Sequence, residues 1–287
     1  MLFRSQGFLS PSPKRYAEVE ARLVAADEGR AAAALDWVAL EFSTPLAAEV
    51  LGEIYPIQVE PGVEKEFSYF VRAPRSARGF DSLALESTAP LRFVGAYIED
   101  EKVEVQLAIE ERGFRARFPR RVRQDELVEL RFVAAVFLQA TRFDAFLQDS
   151  ALGAEVRQRV EAGDATERVE SSANAVRLPL DGALFANANF SARVITPNGD
   201  GINDALEVNI DLVNVLESRP LYLEIYDAGG RRVRTVRGAG MAGRQALVWD
   251  GGDENGAQVP PGIYVARLLA EGDARVQRVH QTVGVAY

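Results

Sequence analysis

The 287-residue chain lacks cysteine altogether and contains a single histidine, His280. The absence of cysteine excludes disulfide bonds, thiolate metal sites and cysteine nucleophiles. A Ser-His-Asp triad or a histidine-based zinc site would have to be built around His280 alone, which lies in a terminal strand pattern and for which we expect no chemical role. The chain also has no run near the roughly 18 apolar residues that a membrane-spanning helix needs, so no transmembrane segment is predicted.

The chain has fewer basic than acidic residues. Lys and Arg together number 33 against 42 Asp and Glu, which gives a formal net charge of -9 and a pI near 4.9. Because binding to a phosphate backbone requires a cationic surface, nucleic acid is not predicted as a partner. Hydrophobic residues make up 47% of the chain and charged residues 26%, and this mixture is typical of globular proteins.

The first 35 residues are predicted to be a lead segment that contains a short helix. Tyr16, Val19 and Leu23 fall on one stripe at helical spacing, which predicts an amphipathic helix over Lys14–Ala26. Met1–Ser10 lacks the uninterrupted apolar core of a signal peptide. By this criterion the protein is either cytoplasmic or begins after a leader that has been removed.

Residues 36–185 are predicted to form a β-sandwich domain with a linker at its end. Apolar and polar residues alternate in several runs, which is typical of antiparallel strands with one buried face. Turn signals such as Pro61-Gly62 separate the runs and favour a sandwich. The alternating apolar positions are Phe67, Tyr69 and Val71; Val103, Val105, Leu107 and Ile109; and Val128, Leu130, Phe132, Ala134, Val136 and Leu138.

Residues 186–287 are predicted to form a second sandwich of the immunoglobulin or fibronectin III type. Glu161–Ala175 is rich in small and polar residues and is interpreted as a linker, and Ala186–Asn189 as a second joint, which places the boundary near residue 185. Seven strand-like runs follow, the number expected of an immunoglobulin-like sandwich. These runs are Ala192–Ile195, Leu206–Leu212, Leu221–Tyr226, Arg232–Arg237, Ala246–Trp249, Ile263–Leu269 and Val276–Val285. The predicted fold class is therefore all-β, with two β-sandwich domains.

The segment Thr196–Glu207 concentrates oxygen-bearing side chains and glycines just before a predicted strand. Aligned with a calcium loop, it offers three side-chain ligands, one backbone carbonyl and a carboxylate at the twelfth position, although the first position is threonine instead of aspartate. The candidate metal ligands are Asn198, Asp200, Ile202, Asp204 and Glu207. The alternative is a pair of consecutive turns whose side chains bond local amides. Calcium is the one candidate cofactor.

A second acidic segment, Trp249–Gly256, is followed by Val259–Tyr264. Neighbouring carboxylates there could serve acid/base or metal chemistry, since glycoside hydrolysis requires two carboxyls about 5–10 Å apart. Turn chemistry explains the same residues, because Pro261-Gly262 suits a type II turn. In that interpretation Trp249 and Tyr264 fill the core from neighbouring strands.

Four motifs of the C-terminal region, in this order, resemble the immunoglobulin-like domain of the flagellar hook-capping protein and the gliding-motility type C-terminal domain of bacterial surface proteins. They are Thr196–Asp204, Ile225–Val233, Trp249–Gly251 and Pro260–Tyr264. The resemblance covers about residues 190–287 and implies a non-catalytic module on a secreted, cell-surface or appendage protein. In some relatives the module directs export through the type IX route, but the ending Val283–Tyr287 lacks the lysine-rich final strand of that signal.

Gly79–Leu85 and Glu126–Ala134 in the first domain are similar in outline to cohesin-like sandwiches, which bind other proteins on bacterial surfaces. A basic cluster lies between these two segments. It comprises Arg112, Arg115, Arg117, Arg120, Arg121 and Arg123. The cluster could bind an anion such as phosphate or an acidic polysaccharide, or it could form cross-strand charge pairs with the acidic run Glu99–Glu111.

The sequence thus predicts a protein without enzymatic activity that is secreted or on the cell surface and has a structural, adhesive or assembly role. The expected partners are other surface or filament proteins, a further copy of the chain added at an exposed strand edge, and polysaccharide. The alternative is a carbohydrate-active or carbohydrate-binding protein with an accessory C-terminal module, motivated by the abundance of Asp and Glu. No motif in residues 36–150 supplies the facing pair of carboxyls that such an enzyme needs.

Overall fold

The computed structural model describes residues 16, 18–22, 37–39, 44–75, 78–153, 156–179, 182–272 and 276–287. This part of the chain is all-β and contains no helix, so the N-terminal helix is not supported. Of the predicted range Lys14–Ala26, the described residues are Tyr16 and Glu18–Arg22, and none of them is helical; the others, including Leu23, lie outside the described residues. Tyr16 is 85% exposed. Val19, the other described member of the predicted stripe, is 50% exposed, and most short helices depend on tertiary packing of such a face for their stability.

The first sandwich contains twelve strands arranged in two sheets. In chain order they are β1 (Leu51–Tyr55), β2 (Lys65–Arg72), β3 (Phe80–Ser87), β4 (Arg92–Ile98), β5 (Glu101–Val103), β6 (Gln106–Glu110), β7 (Gly113–Val122), β8 (Leu127–Ala134), β9 (Ala140–Gln148), β10 (Arg157–Arg159), β11 (Glu161–Ala162) and β12 (Ala175–Arg177). One sheet has the order β11-β1-β2-β8-β4-β5, and the other has the order β10-β9-β3-β7-β6 with β12 also paired to β9. The only parallel pair among these strands is β1 with β11.

A cluster of phenylalanine rings joins these two sheets. The ring centroid of Phe132 lies 5.7 Å from that of Phe67 and 5.5 Å from that of Phe143, which belongs to the opposing sheet. All three rings are fully buried, and burying one such side chain stabilises a fold by about 1.5–3 kcal/mol. The alternation predicted around Phe67 and Phe132 is therefore confirmed as a buried face.

The alternating run in β6 behaves differently. Leu107 and Ile109 pair with the buried residues Ala116 and Phe114 and share their side of the sheet. Because β6 is an edge strand, their side chains are nevertheless 42% and 73% exposed. The prediction that all four apolar positions of this run are packed is wrong for Leu107 and Ile109.

The segment interpreted as a linker, Glu161–Ala175, is attached to the first sandwich. It begins with β11, which pairs with β1, and the buried carboxylate of Glu53 accepts hydrogen bonds from the backbone N–H groups of Ala165 (2.8 Å) and Thr166 (2.9 Å). The segment is therefore part of the first sandwich, and the domain boundary near residue 185 stays a prediction.

The second sandwich contains eight strands in two sheets. They are β13 (Phe185–Phe190), β14 (Val194–Ile195), β15 (Leu206–Leu212), β16 (Arg219–Asp227), β17 (Arg232–Gly240), β18 (Gly243–Trp249), β19 (Gly262–Glu271) and β20 (Val276–Val285). One sheet has the order β13-β15-β18 and the other the order β14-β20-β19-β16-β17. All seven runs predicted from the sequence overlap strands.

The strand missed by the sequence analysis is β13, which includes the supposed joint Ala186–Asn189. Alanine and asparagine carry no apolar alternation, and the pairing of β13 with β15 is interrupted by a bulge between Ala186 and Asn189. Asn187 has a φ of 51° within this bulge. Pairing with β15 outweighs the low strand propensity of these residues. The prediction that Ala186–Asn189 is a joint is therefore corrected, because the segment belongs to β13.

A polar joint connects the two sandwiches. The turn Pro61-Gly62 of the first sandwich faces Asn187, Asp211 and Arg244 of the second. An Nη of Arg244 donates a hydrogen bond to the carbonyl of Gly62 (3.1 Å). The side-chain amide of Asn187 donates to the carbonyl of Pro61 (3.3 Å) and to the carboxylate of Asp211 (3.0 Å).

Backbone contact and close packing complete this joint. The backbone N–H of Asn214 donates to the carbonyl of Phe137 (2.8 Å). Gly62 has a φ of 72°, and a Cβ at this position would lie 2.4 Å from Oδ2 of Asp211. The positive φ favours glycine here, and a larger residue would also have to displace the carboxylate of Asp211 from its place in the joint.

Candidate functional site

Asp204 is at the centre of the predicted calcium segment, which connects β14 to β15. Its Oδ1 accepts hydrogen bonds from the backbone N–H groups of Asn198 (3.1 Å) and Gly199 (2.8 Å), and its Oδ2 accepts one from Gly201 (2.8 Å). These bonds favour the ionised carboxylate, the bond from Gly199 most strongly, and hold the pKa of Asp204 below its usual value. Both oxygens of the carboxylate are thus directed at the loop's own backbone.

The other loop oxygens are engaged in the same way. Oδ1 of Asn198 accepts from the N–H of Asp200 (3.0 Å), and Oδ1 of Asp200 accepts from the N–H of Ile202 (2.7 Å). The carbonyl of Ile202, the predicted backbone ligand, accepts from the hydroxyl of Thr196 (3.0 Å). The loop is closed by its own hydrogen bonds, as in the self-capped turn alternative.

The structure therefore brings four of the five predicted ligands into one loop and leaves the fifth apart. Glu207 lies on β15 with an exposed side chain and pairs with Val248 of β18. Within the described residues, no group of three or more His, Cys, Asp or Glu side chains could hold a metal ion. A calcium ion would have to compete with the hydrogen bonds that Asn198, Asp200 and Asp204 accept from the loop backbone, so calcium binding stays a prediction.

The second acidic segment surrounds a buried aromatic pair. Trp249 is 0% and Tyr264 is 5% exposed, and their ring centroids lie 5.7 Å apart between the two sheets. Nε1 of Trp249 donates to the carbonyl of Gly252 (2.8 Å), and the hydroxyl of Tyr264 donates to the carbonyl of Pro260 (2.7 Å). The polar ends of both rings are satisfied by the turns beside them, so the pair fills the core as predicted.

The neighbouring carboxylates close turns. Oδ1 of Asp250 accepts from the N–H of Gly252 (3.0 Å), and Oδ1 of Asp253 accepts from those of Asn255 (2.8 Å) and Ala257 (2.9 Å). At these positions the arrangement resembles the one around Asp204. It stabilises chain reversals, as in the turn interpretation of this segment.

The arginine cluster of the first sandwich is largely paired. Arg120 bonds Glu126 (2.8 Å), and Arg121 bonds Asp149 (2.6 Å). Looser contacts join Arg115 to Glu110 (3.4 Å) and Arg117 to Asp81 (3.9 Å). Of these four acids only Glu110 belongs to the acidic run predicted to supply the partners. The long-range acids could not be found from sequence, because strand order decides which acids face the cluster.

Glu53, a residue that was not predicted to have a special role, is 0% exposed. Burial raises the pKa of Glu53, and the hydrogen bonds from Thr166 and Ala165 only partly offset this effect. Its Oε2 is buried without a hydrogen-bond partner among the described residues. No local signal marks Glu53, since it sits within an ordinary strand pattern and its partners are more than a hundred positions away.

Residues 204–273 match the family model of the FlgD Ig-like domain. The C-terminal module is therefore an Ig-like domain of the kind that the four motifs predicted. The match covers less than half of the chain and lies within the second sandwich. No curated protein matches the chain.

Solved structures that match the chain do so weakly. Dimeric latent PorU from Porphyromonas gingivalis is 13% identical with a TM-score of 0.30, over 79% of this chain and 18% of that one. Beta-glucuronidase from Parabacteroides merdae is 9% identical with a TM-score of 0.26, over 78% and 28%. The adhesin InvE from Yersinia pseudotuberculosis is 10% identical with a TM-score of 0.25, over 82% and 58%. The chain spans less than a third of the first two proteins, and TM-scores this low establish no shared function.

Proposed function

We propose that this chain is a non-catalytic protein of the bacterial cell surface or of an extracellular appendage, with a structural, adhesive or assembly role. The strongest support comes from the hydrogen bonding of three aspartates in the second sandwich. Asp204, Asp250 and Asp253 bond their own turns, while Trp249 and Tyr264 fill the core. The match to the FlgD Ig-like domain supports the same role.

Cell fractionation tests this location. An antibody against the full chain should detect it in the envelope or the medium, and protease added to intact cells should remove the envelope signal. A cytosolic enzyme followed in parallel controls for lysis. Recovery of the chain from the cytosol only, with no exported form, would contradict the proposal.

A carbohydrate-active protein is the second candidate, and one recess favours it. This recess has a volume of about 520 Å³, and its lining includes Asp164, Glu170 and Arg177. Two carboxyls in one recess are the minimum that glycoside hydrolysis requires. The purified chain should then hydrolyse glycosides, and the variants Asp164→Asn and Glu170→Gln should each lose that activity. Absence of hydrolysis across neutral and acidic polysaccharides would remove this candidate.

For assembly, we propose that the β6 edge adds a strand from a second copy of the chain. Leu107 and Ile109 are exposed there, and an edge strand offers unpaired backbone N–H and C=O groups to another strand. The mass from light scattering should rise with protein concentration. The variant Ile109→Lys should keep the chain monomeric, whereas Val248→Lys, at an exposed position of β18, should not. A monomer at all concentrations would contradict this proposal.

Calcium stabilisation of the Thr196–Glu207 loop is tested by melting the protein with calcium and with a chelator. Binding would raise the melting temperature with calcium concentration, because a ligand that binds only the folded state stabilises it. An unchanged melting temperature would remove the cation from the proposal.

A further inference from the structure

The outer face of the five-stranded sheet carries a regular set of arginine and tyrosine side chains. On β16, Leu221, Leu223 and Ile225 are buried, so the residues between them point outward. Tyr222 and Tyr226 are therefore on the outer face. Residues directly opposite on neighbouring strands share a face, which allows the rest of this surface to be read from the strand register.

One row of residues crosses four strands of this face and has an arginine at each end. Tyr222 lies opposite Arg237 of β17 and opposite Leu269 of β19, which in turn lies opposite Arg278 of β20. Arg237 and Arg278 are both exposed. In the described part of the chain neither forms an ion pair. Three strand spacings of roughly 4.8 Å separate their backbones by about 14 Å.

Glu224, the next outward residue of β16 after Tyr222, is bonded by two further arginines, one from β17 and one from β19. Glu224 accepts hydrogen bonds from Arg267 (2.6 Å) and Arg232 (3.2 Å). Burial alone would raise the pKa of Glu224, but the bonds from Arg267 and from the hydroxyl of Tyr226 outweigh it and lower the pKa. Among the described residues, four guanidinium groups thus share this face with two carboxyl groups, Glu224 and Glu271, the second placed outward by its spacing from Leu269 on β19. The surface is therefore basic, although the whole chain has a net charge of -9.

The aromatic rings on this face are flat and partly accessible. Tyr222 and Tyr226 are half-buried, and the guanidinium of Arg267 lies 4.6 Å from the ring centroid of Tyr226. Tyrosine offers an apolar ring for stacking and a polar end for hydrogen bonds. Small molecules usually bind in concave pockets, whereas an extended sheet face with charges at its ends suits a polymer laid across it.

The chemistry favours one class of polymer. Guanidinium groups bind carboxylates and sulfates in a bidentate manner, and sugar rings can pack on the tyrosines between them. Nucleic acid carries one charge per roughly 1.7 Å of duplex, a far denser pattern than two unpaired guanidiniums about 14 Å apart at the backbone. An acidic peptide would use the arginines but would not need the tyrosine rings.

We infer that the outer face of β16, β17, β19 and β20 binds an acidic polysaccharide through Arg237 and Arg278, with Tyr222 as the stacking platform between them. This inference deepens the proposed adhesive role and names its ligand class. Binding by the purified chain does not depend on where the protein resides, so failure here and failure in cell fractionation are separate results.

The test measures the affinity of the full-length purified chain for polygalacturonate and for a sulfated polysaccharide, with dextran as the neutral probe. The double variant Arg237→Glu/Arg278→Glu should weaken binding of at least one acidic polymer by about tenfold or more, since it replaces two charge-assisted hydrogen bonds with repulsion between like charges. Tyr222→Ala should weaken it several-fold. Dextran should not bind.

A matched charge reversal on the first sandwich controls for net charge. Arg75→Glu/Arg92→Glu makes the same change at two exposed arginines whose ion pairs, at 3.6 and 3.7 Å, are loose. This control should bind within about twofold of the unmodified chain. Melting curves for all variants confirm that they are folded.

Three outcomes would overturn the inference. One is no binding of either acidic polymer, or binding that the Arg237/Arg278 reversal leaves unchanged. Another is equal binding of poly-glutamate with no effect of Tyr222→Ala, which would assign the face to an acidic protein. The third is tighter binding of a single-stranded oligonucleotide than of either polysaccharide.

Discussion

The two sandwiches use their acidic residues in different ways. In the first, carboxylates reach across the fold: Asp149 bonds Arg121, and buried Glu53 bonds amides far along the chain. In the second, the turn carboxylates of Asp204, Asp227 and Asp253 bond backbone N–H groups two to six positions away, and Glu224, which bonds Arg267 on another strand, is an exception. Local bonds shape turns whatever the surrounding fold, whereas long-range bonds exist only after the strands have assembled.

Substitutions in the two hydrophobic cores should destabilise the sandwiches most and test whether they unfold independently. Phe132→Ala removes the ring at the centre of the first phenylalanine cluster, and Trp249→Ala removes the largest buried side chain of the second sandwich. Each should cost about 3–5 kcal/mol. If the sandwiches unfold separately, calorimetry will show that each variant lowers a different transition. A single transition lowered equally by both would show that the joint couples the two units.

The joint provides the next test, because two glycines with similar backbone angles differ in their surroundings. Gly62 and Gly199 have φ values of 72° and 82°, but a Cβ at Gly62 would meet Asp211, whereas a Cβ at Gly199 would meet nothing within 4 Å. Gly199→Ala should cost about 1–2 kcal/mol from backbone strain alone. Gly62→Ala should cost more, as measured by chemical denaturation, and equal costs would contradict the described joint.

Asp204 tests the local arrangement. Asp204→Ala removes the acceptor of three backbone N–H groups, so the melting temperature should fall by less than in the core variants. The pKa of Asp204 is lowered from 3.8, so its stabilisation is present above that value and is lost as the pH falls through the lowered pKa. The difference between Asp204→Ala and the unmodified chain should therefore shrink in acid, and a difference that persists at low pH would contradict the assignment.

The contribution of Glu53 to stability should change with pH in the opposite direction to that of Asp204, and substituting Glu53 should have the smallest effect of these variants. Its pKa is raised above 4.5, so its contribution to stability is fully present below that value and is lost as the pH rises through the raised pKa. Glu53→Gln keeps one oxygen acceptor without the buried charge and should be at least as stable as the unmodified chain at neutral pH. Urea titrations at neutral and acidic pH measure this, and a large loss at neutral pH would show that the ionised form is needed.

The second sandwich could be predicted from sequence more fully than the first for the same physical reason. Its turns carry their own bonding partners, so motifs such as Thr196–Asp204 and Trp249–Gly251 are visible in a short window. Alternation around Phe67 and Phe132 revealed a buried face of the first sandwich. It could not show that β6 lies at an edge, where Leu107 and Ile109 remain exposed. The periodicity of a single segment carries no information about the order of strands in a sheet.

The candidate sites follow the same division. The sequence identified the oxygen-rich loop, but it could not show that Asp204 would be surrounded by three amides. The arginine and tyrosine face escaped notice because its members belong to four strands and meet only through the register. Local chemistry predicts turns well and predicts composite surfaces poorly.

The position of β20 has a consequence for synthesis. It lies between β14 and β19 and supplies Val283 and Val285 to the core. The second sandwich therefore cannot complete its larger sheet until these late residues have left the ribosome, whereas the first sandwich has all its strands by Arg177. Folding during translation is vectorial, so a nascent chain passes through a stage in which all strands of the first sandwich have been synthesised while the larger sheet of the second still lacks β20.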